Sequence, residues 1–64
     1  MKTITEAGLN IKPGDKFTTY QEPGIFTIKE VFDKSIHAYN SENIYTYNID
    51  TDELIKLKIN VINK

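Results

Sequence analysis

The chain of 64 residues has no cysteine, no arginine and no tryptophan, and a single histidine. Without cysteine, neither a disulfide nor a Cys-ligated zinc can staple the fold, so stability rests on a packed core, helped at most by self-association. A domain of this size buries only about 60% of the surface its unfolded chain exposes, which makes it marginally stable. All eight basic residues are lysine, so the bidentate fork that suits guanine and phosphate is missing. A net charge of -1 argues against holding duplex nucleic acid by charge alone. Long apolar runs are absent too, and the opening Met1-Lys2-Thr3-Ile4-Thr5-Glu6 lacks the apolar stretch of a secretory leader. A membrane span is therefore not expected. The lack of cysteine suits a reducing cytoplasm, the expected location.

What is present is a series of short β-type segments separated by turn residues. Pro13-Gly14-Asp15 is a tight turn: Pro13 presets φ and Gly14 supplies a positive φ at no steric cost. The turn leads into a strand over 16–20, with Phe17 as the first large apolar anchor. A second Pro-Gly turn at Glu22-Pro23-Gly24 precedes a strand over 25–33. In that strand Phe26 and Ile28 are in phase but Val31 is out by one. A bulge at Lys29-Glu30 returns Val31 to the core without burying a charge. Strands over 36–40 and 44–49 follow, separated by polar turns at 33–35 and 40–43. The acidic stretch Asp50-Thr51-Asp52-Glu53 fits one 3₁₀ turn. From 54 to 62, Ile55, Leu57, Ile59 and Val61 alternate with Lys56, Lys58 and Asn60, a period of two that predicts a long last strand with one buried face. Ahead of all this, Thr5-Glu6-Ala7-Gly8 fits one helical turn with Thr3 or Thr5 capping and Gly8 stopping it, and Leu9 and Ile11 packing back on the core; an irregular arm is the other reading.

Five short strands with a single turn before the last one predict an all-β fold, a closed or nearly closed small barrel. In its Pro13-Gly14-Asp15-Lys16-Phe17 entry, its longer first loop around Glu22-Pro23-Gly24, its long bent second strand and its short turn at Asp50–Glu53, the chain resembles the SH3-like barrel group across residues 11–62. The resemblance implies a five-stranded barrel over 12–62, with 1–11 as an irregular N-terminal arm of the same single domain. It does not bring polyproline binding with it, because there is no ALYDY-like run and no tryptophan. No KOW signature is present to imply RNA binding. The expected core is Phe17, Phe26, Ile28, Val31, Ile36, Ala38, Ile49, Ile55, Leu57 and Ile59, with Tyr45 and Tyr47 at its margin.

Few residues suggest chemistry. His37 has Asp33 and Glu42 as potential partners but no nucleophile motif beside it, so catalysis is not expected. Asp50, Asp52 and Glu53 are too few carboxylates, without a glycine at the bend, for a calcium loop; they read as a capped, solvated turn, and no metal or other cofactor is expected. The tyrosines carry more weight, since each offers flat apolar area with a polar tip suited to interfaces and base stacking. Tyr39 is expected to face outward, because Ile36 and Ala38 claim the inward face; Tyr20 is open; Tyr47 shares a face with Ile49. The candidate binding residues are Tyr20, His37, Tyr39, Tyr47, Lys56 and Lys58. They point to a non-catalytic protein-binding module, with homo-oligomerisation through the last strand as a further expectation. The alternative is a binder of single-stranded nucleic acid or RNA through tyrosines and lysines. Abundant Ile, Lys, Asn and Tyr, whose codons are AT-rich, suggest a bacterial, plasmid or phage accessory factor.

Overall fold

A computed structural model describes residues 2–62. Five antiparallel strands form one sheet: β1 (Lys16–Thr18), β2 (Phe26–Val31), β3 (Ser35–Asn40), β4 (Thr46–Asp50) and β5 (Asn60–Ile62). One helix, α1 (Thr51–Leu57), joins β4 to β5. The spatial order is β4-β3-β2-β1-β5. Among the described residues the sheet is open: β4 and β5 are its two edges, and the expected closure of a barrel is not present.

The turns follow from local chemistry. Asp15 N–H donates to the Lys12 carbonyl (3.1 Å) with Pro13 and Gly14 between them, and Gly14 sits at φ 96°. This is the geometry in which only glycine is unstrained at the third position. Gly14 N–H then donates to the Ile28 carbonyl and Ile28 N–H to the Asp15 carbonyl, both at 2.8 Å, so the turn docks on β2. At the start of the chain, Thr3 and Glu6 cap each other: Glu6 N–H donates to Thr3 Oγ1 (3.1 Å) and Thr3 N–H to Glu6 Oε1 (3.0 Å). Gly8 stops the turn at φ 78°. Ile4 is buried, and its N–H donates to the Asp33 carbonyl at 2.7 Å, so this segment is part of the core.

The bulge in β2 lies where the phase shift requires it. The β2–β3 register runs Ile28↔Ala38 and then Glu30↔His37 and Val31↔Ile36, leaving Lys29 without a partner. Ile28 is buried and Val31 packs against the core, while Lys29 and Glu30 are exposed. Phe17 and Phe26 are register partners and stack at 5.0 Å between ring centroids; Tyr47 meets Phe26 edge-on at 5.5 Å. Around these rings gather Ile4, Ile28, Ile36, Ala38, Ile49, Leu54 and Leu57, all buried.

The largest departure from expectation is at residues 50–59. The 3₁₀ turn and long strand are replaced by α1 and a strand of only three residues. Asp50 is the N-cap, its Oδ1 accepting from Glu53 N–H at 2.8 Å, with Asp52 and Glu53 in the first turn and Lys56 in the last. Each of these charges suits the helix dipole. Thr51, Leu54 and Leu57, spaced by three, form the buried face. Leu54 is therefore core and Ile55, expected inside, is 48% exposed; Ile59 is half-buried. Thr51 also anchors the helix start, its N–H and Oγ1 both donating to the Lys34 carbonyl (2.9 and 3.0 Å).

Besides β5, three strands are shorter than expected: β2 keeps only Phe26–Val31 of the expected 25–33, and β1 and β4 are cut back as well. β1 ends at Thr18, and β4 begins at Thr46 because Ile44 adopts the left-handed region (φ 55°). Tyr45 is consequently 66% exposed and not at the core margin. Ile44 is 70% exposed, so its side chain gains nothing from packing that offsets a conformation costing a β-branched residue about 1–2 kcal/mol. Ile44→Asn is expected to stabilise the protein by about 0.5–1 kcal/mol, because asparagine tolerates this region. Urea denaturation checks this, and an unchanged or lowered midpoint contradicts it.

Candidate functional site

The β1–β2 loop (residues 19–25) and the β3–β4 turn (residues 41–45) are held together by Asn40. This side chain is fully buried at the end of β3. Its Oδ1 accepts from the N–H groups of Glu42 (2.7 Å) and Asn43 (3.2 Å), and its Nδ2 donates to the Pro23 carbonyl (3.2 Å). Ile25 and Ser41 add two further bonds between the same segments: Ser41 N–H to the Ile25 carbonyl and Ile25 N–H to Ser41 Oγ. Gly24, at φ 92°, passes so close that a Cβ there would lie 2.9 Å from Asn40 Oδ1 and 2.6 Å from Glu42 Cγ. The loop is thereby fixed in place.

Between that loop and the β4–α1 corner runs a groove of about 370 Å³. Phe26, Tyr47, Ile49 and Leu57 give it an apolar floor, and Gln21, Glu22, Asn48, Asp50 and Glu53 line it with polar groups. Among the described residues, the three charged ones lining it are acidic and exposed. Tyr47 is held by its hydroxyl, which accepts from Asn43 Nδ2 at 2.6 Å, and by its edge contact with Phe26. A lysine or arginine side chain matches such a surface, with its methylene stem on the floor and its cationic head at the rim. A larger hollow of about 680 Å³ lies at the other end of β2, between the N-terminal turn and Val31–Asp33. Asp33 is its one charged lining residue. Among the described residues, no three His, Cys, Asp or Glu side chains gather in a way that would hold a metal ion.

The six residues singled out from the sequence do not form one surface. Tyr39 pairs with Thr46 and Ala38 with Tyr47, so Tyr39 and Tyr47 are on opposite faces of the sheet. This divides the single aromatic platform on which base stacking would depend. Tyr47 lines the groove. Tyr20 is 68% exposed in the β1–β2 loop, and its hydroxyl accepts from Gln21 Nε2. His37 and Tyr39 share the outer sheet face, where Glu30 is the register partner of His37 and Lys29 Nζ stands 5.8 Å from the Tyr39 ring centroid. Lys16 lies nearby, its Nζ donating to Thr27 Oγ1 (3.4 Å) beside Tyr39. Lys56 is exposed on α1 and Lys58 is its left-handed C-cap, both on an element away from that face. Comparison with protein-family models, curated proteins and solved structures gives no match. Glu22, Asp50 and Glu53 are the residues the sequence pattern does not assemble into a site. Glu53 following Asp50 by three signals a helix start, but only the folded loop brings Glu22 opposite.

Proposed function

We propose that this chain is a non-catalytic protein-binding module that receives a basic segment of its partner in the groove between the β1–β2 loop, β4 and α1. The observation that carries this reading is the pairing of an apolar floor with a rim whose charged groups are all acidic. Exposed Tyr20, just ahead of the loop residues that line the groove, and exposed Ile44 and Tyr45, just ahead of β4, extend the contact surface. Tyrosine is enriched in the anchors of protein interfaces. An SH3-like architecture belongs to this proposal. Its support is the strand order, with one helical element between β4 and β5 and β5 returning to β1.

The nucleic-acid alternative rests on Tyr39 with Lys16 and Lys29. It loses support because the Lys29 ammonium already sits over the Tyr39 ring and Glu30 mixes negative charge into the same face. One experiment separates the two readings. A lysine-rich synthetic peptide and an oligothymidylate are each titrated into the protein by NMR. The peptide is expected to shift resonances of residues 21–22, 47–50 and 53. The double reversal Glu22→Lys/Glu53→Lys is expected to weaken peptide binding about tenfold, since two exposed ion pairs become repulsive. Oligothymidylate shifts centred on Tyr39, with the peptide silent, would replace this reading by the alternative.

A further inference from the structure

The groove runs beside a sheet edge, and the two together specify how a partner would be held. Among the described residues, β4 is paired on one side only, with β3. Asn40 N–H donates to the Tyr45 carbonyl and Thr51 N–H to the Lys34 carbonyl. Ladder bonds of an antiparallel pair fall on every second residue. Tyr45, Tyr47, Ile49 and Thr51 therefore face β3. The Asp50 carbonyl, at the N-cap, is taken up by α1, but the N–H and C=O groups of Thr46 and Asn48 and the N–H of Asp50 point away from the sheet. Among the described residues, no hydrogen bond outside the ladder involves these groups. An edge of this kind is usually blunted by lysine, proline or a bulge. β4 (Thr46–Asp50) has none of the three.

We infer that the basic segment binds as an added strand on the free edge of β4, its main chain pairing with Thr46, Asn48 and Asp50 and its alternate side chains lying in the groove. This rests on the groove reading above. A strand added beside β4 turns every second side chain toward the face that carries Tyr47 and Ile49. Lysine or arginine at those positions lays its stem on the apolar floor and brings its head toward Glu22, Asp50 and Glu53. Charge also selects the occupant: the acidic rim repels a second copy's equivalent rim and attracts a cationic segment.

The test uses two isomers of one lysine–valine alternating decapeptide, N-methylated at either its odd or its even residues. A strand has two edges and only one would meet β4, so only one set of amides matters. One isomer is expected to lose binding at least about tenfold, while the other keeps it. In the complex with the unmethylated peptide, hydrogen exchange at the amides of Thr46, Asn48 and Asp50 is expected to slow. Equal binding by both isomers, with shifts still confined to the groove, overturns strand addition and leaves the groove reading standing. No binding by any of the peptides overturns both. Slowed exchange at the three amides that grows with protein concentration, without peptide, overturns the inference in favour of self-pairing of β4.

Discussion

Leu54→Ala is expected to destabilise the protein by about 2–5 kcal/mol, whereas Ile55→Ala changes its stability by no more than about 0.5 kcal/mol. Leu54 is fully buried and belongs to the central cluster, while Ile55, its neighbour on the helix, is 48% exposed. Deleting the Leu54 side chain removes contacts with the rings and aliphatic groups beneath α1 and leaves a cavity that neighbouring strands fill only in part. In so small a domain the loss is a large share of total stability, and each kcal/mol moves the thermal midpoint by about 4–8 °C. Alanine at 55 gives up little burial and gains helix propensity. Thermal melts of the two variants therefore separate widely. The opposite order of effects would mean that residues 54–57 belong to the alternating strand expected over 54–62 and not to a helix.

Asn40→Ala is expected to destabilise the protein by about 3 kcal/mol or more, although it removes no large apolar surface. The side chain joins two loops through three hydrogen bonds in a fully buried position. Alanine leaves the Glu42 and Asn43 amides and the Pro23 carbonyl without these partners, and each of these part-buried hydrogen bonds contributes about 1 kcal/mol. Asn40→Asp retains the acceptor for the two amides but loses the donor to Pro23 and sets a carboxylate against a carbonyl, so it falls between the parent and the alanine variant. Urea denaturation of the three proteins gives the ordering. An alanine variant that unfolds at the parent's urea concentration would show that the two loops are held by other means, and the groove wall formed by Gln21 and Glu22 would lose its structural basis.

The parts of the fold that could be read from sequence are those set by neighbouring residues. The turn at Pro13-Gly14 follows from the torsions of two residues. The bulge follows from the phase slip between Ile28 and Val31, with two charges between them that cannot be buried. The outward facing of Tyr39 follows from Ile36 and Ala38. Helix α1 was ambiguous for a physical reason: in seven residues, Leu54, Ile55 and Leu57 satisfy both a period of two and a spacing of three. The alternation that continues through Ile59 and Val61 belongs to the connection after the helix and to β5 (Asn60–Ile62). The deciding signals were Asp50 with Glu53 three residues on, and Thr51, Leu54 and Leu57 in step. The groove was not legible. Its walls come from residues 21–22 and 47–57, and they meet only because Asn40, an unremarkable polar residue at a strand end, ties two loops together.

The unpaired residue in β2 has a consequence for how this chain tolerates change. Elsewhere in the strand, one residue more or less would turn every later side chain to the opposite face. At Lys29 the length of the chain and the facing of its side chains are uncoupled, because the bulge already sets Ile28↔Ala38 and Glu30↔His37 next to each other on the β3 side. Position 29 is thus free of the register that constrains the rest of β2, and the residue standing there answers only to what lies above the Tyr39 ring.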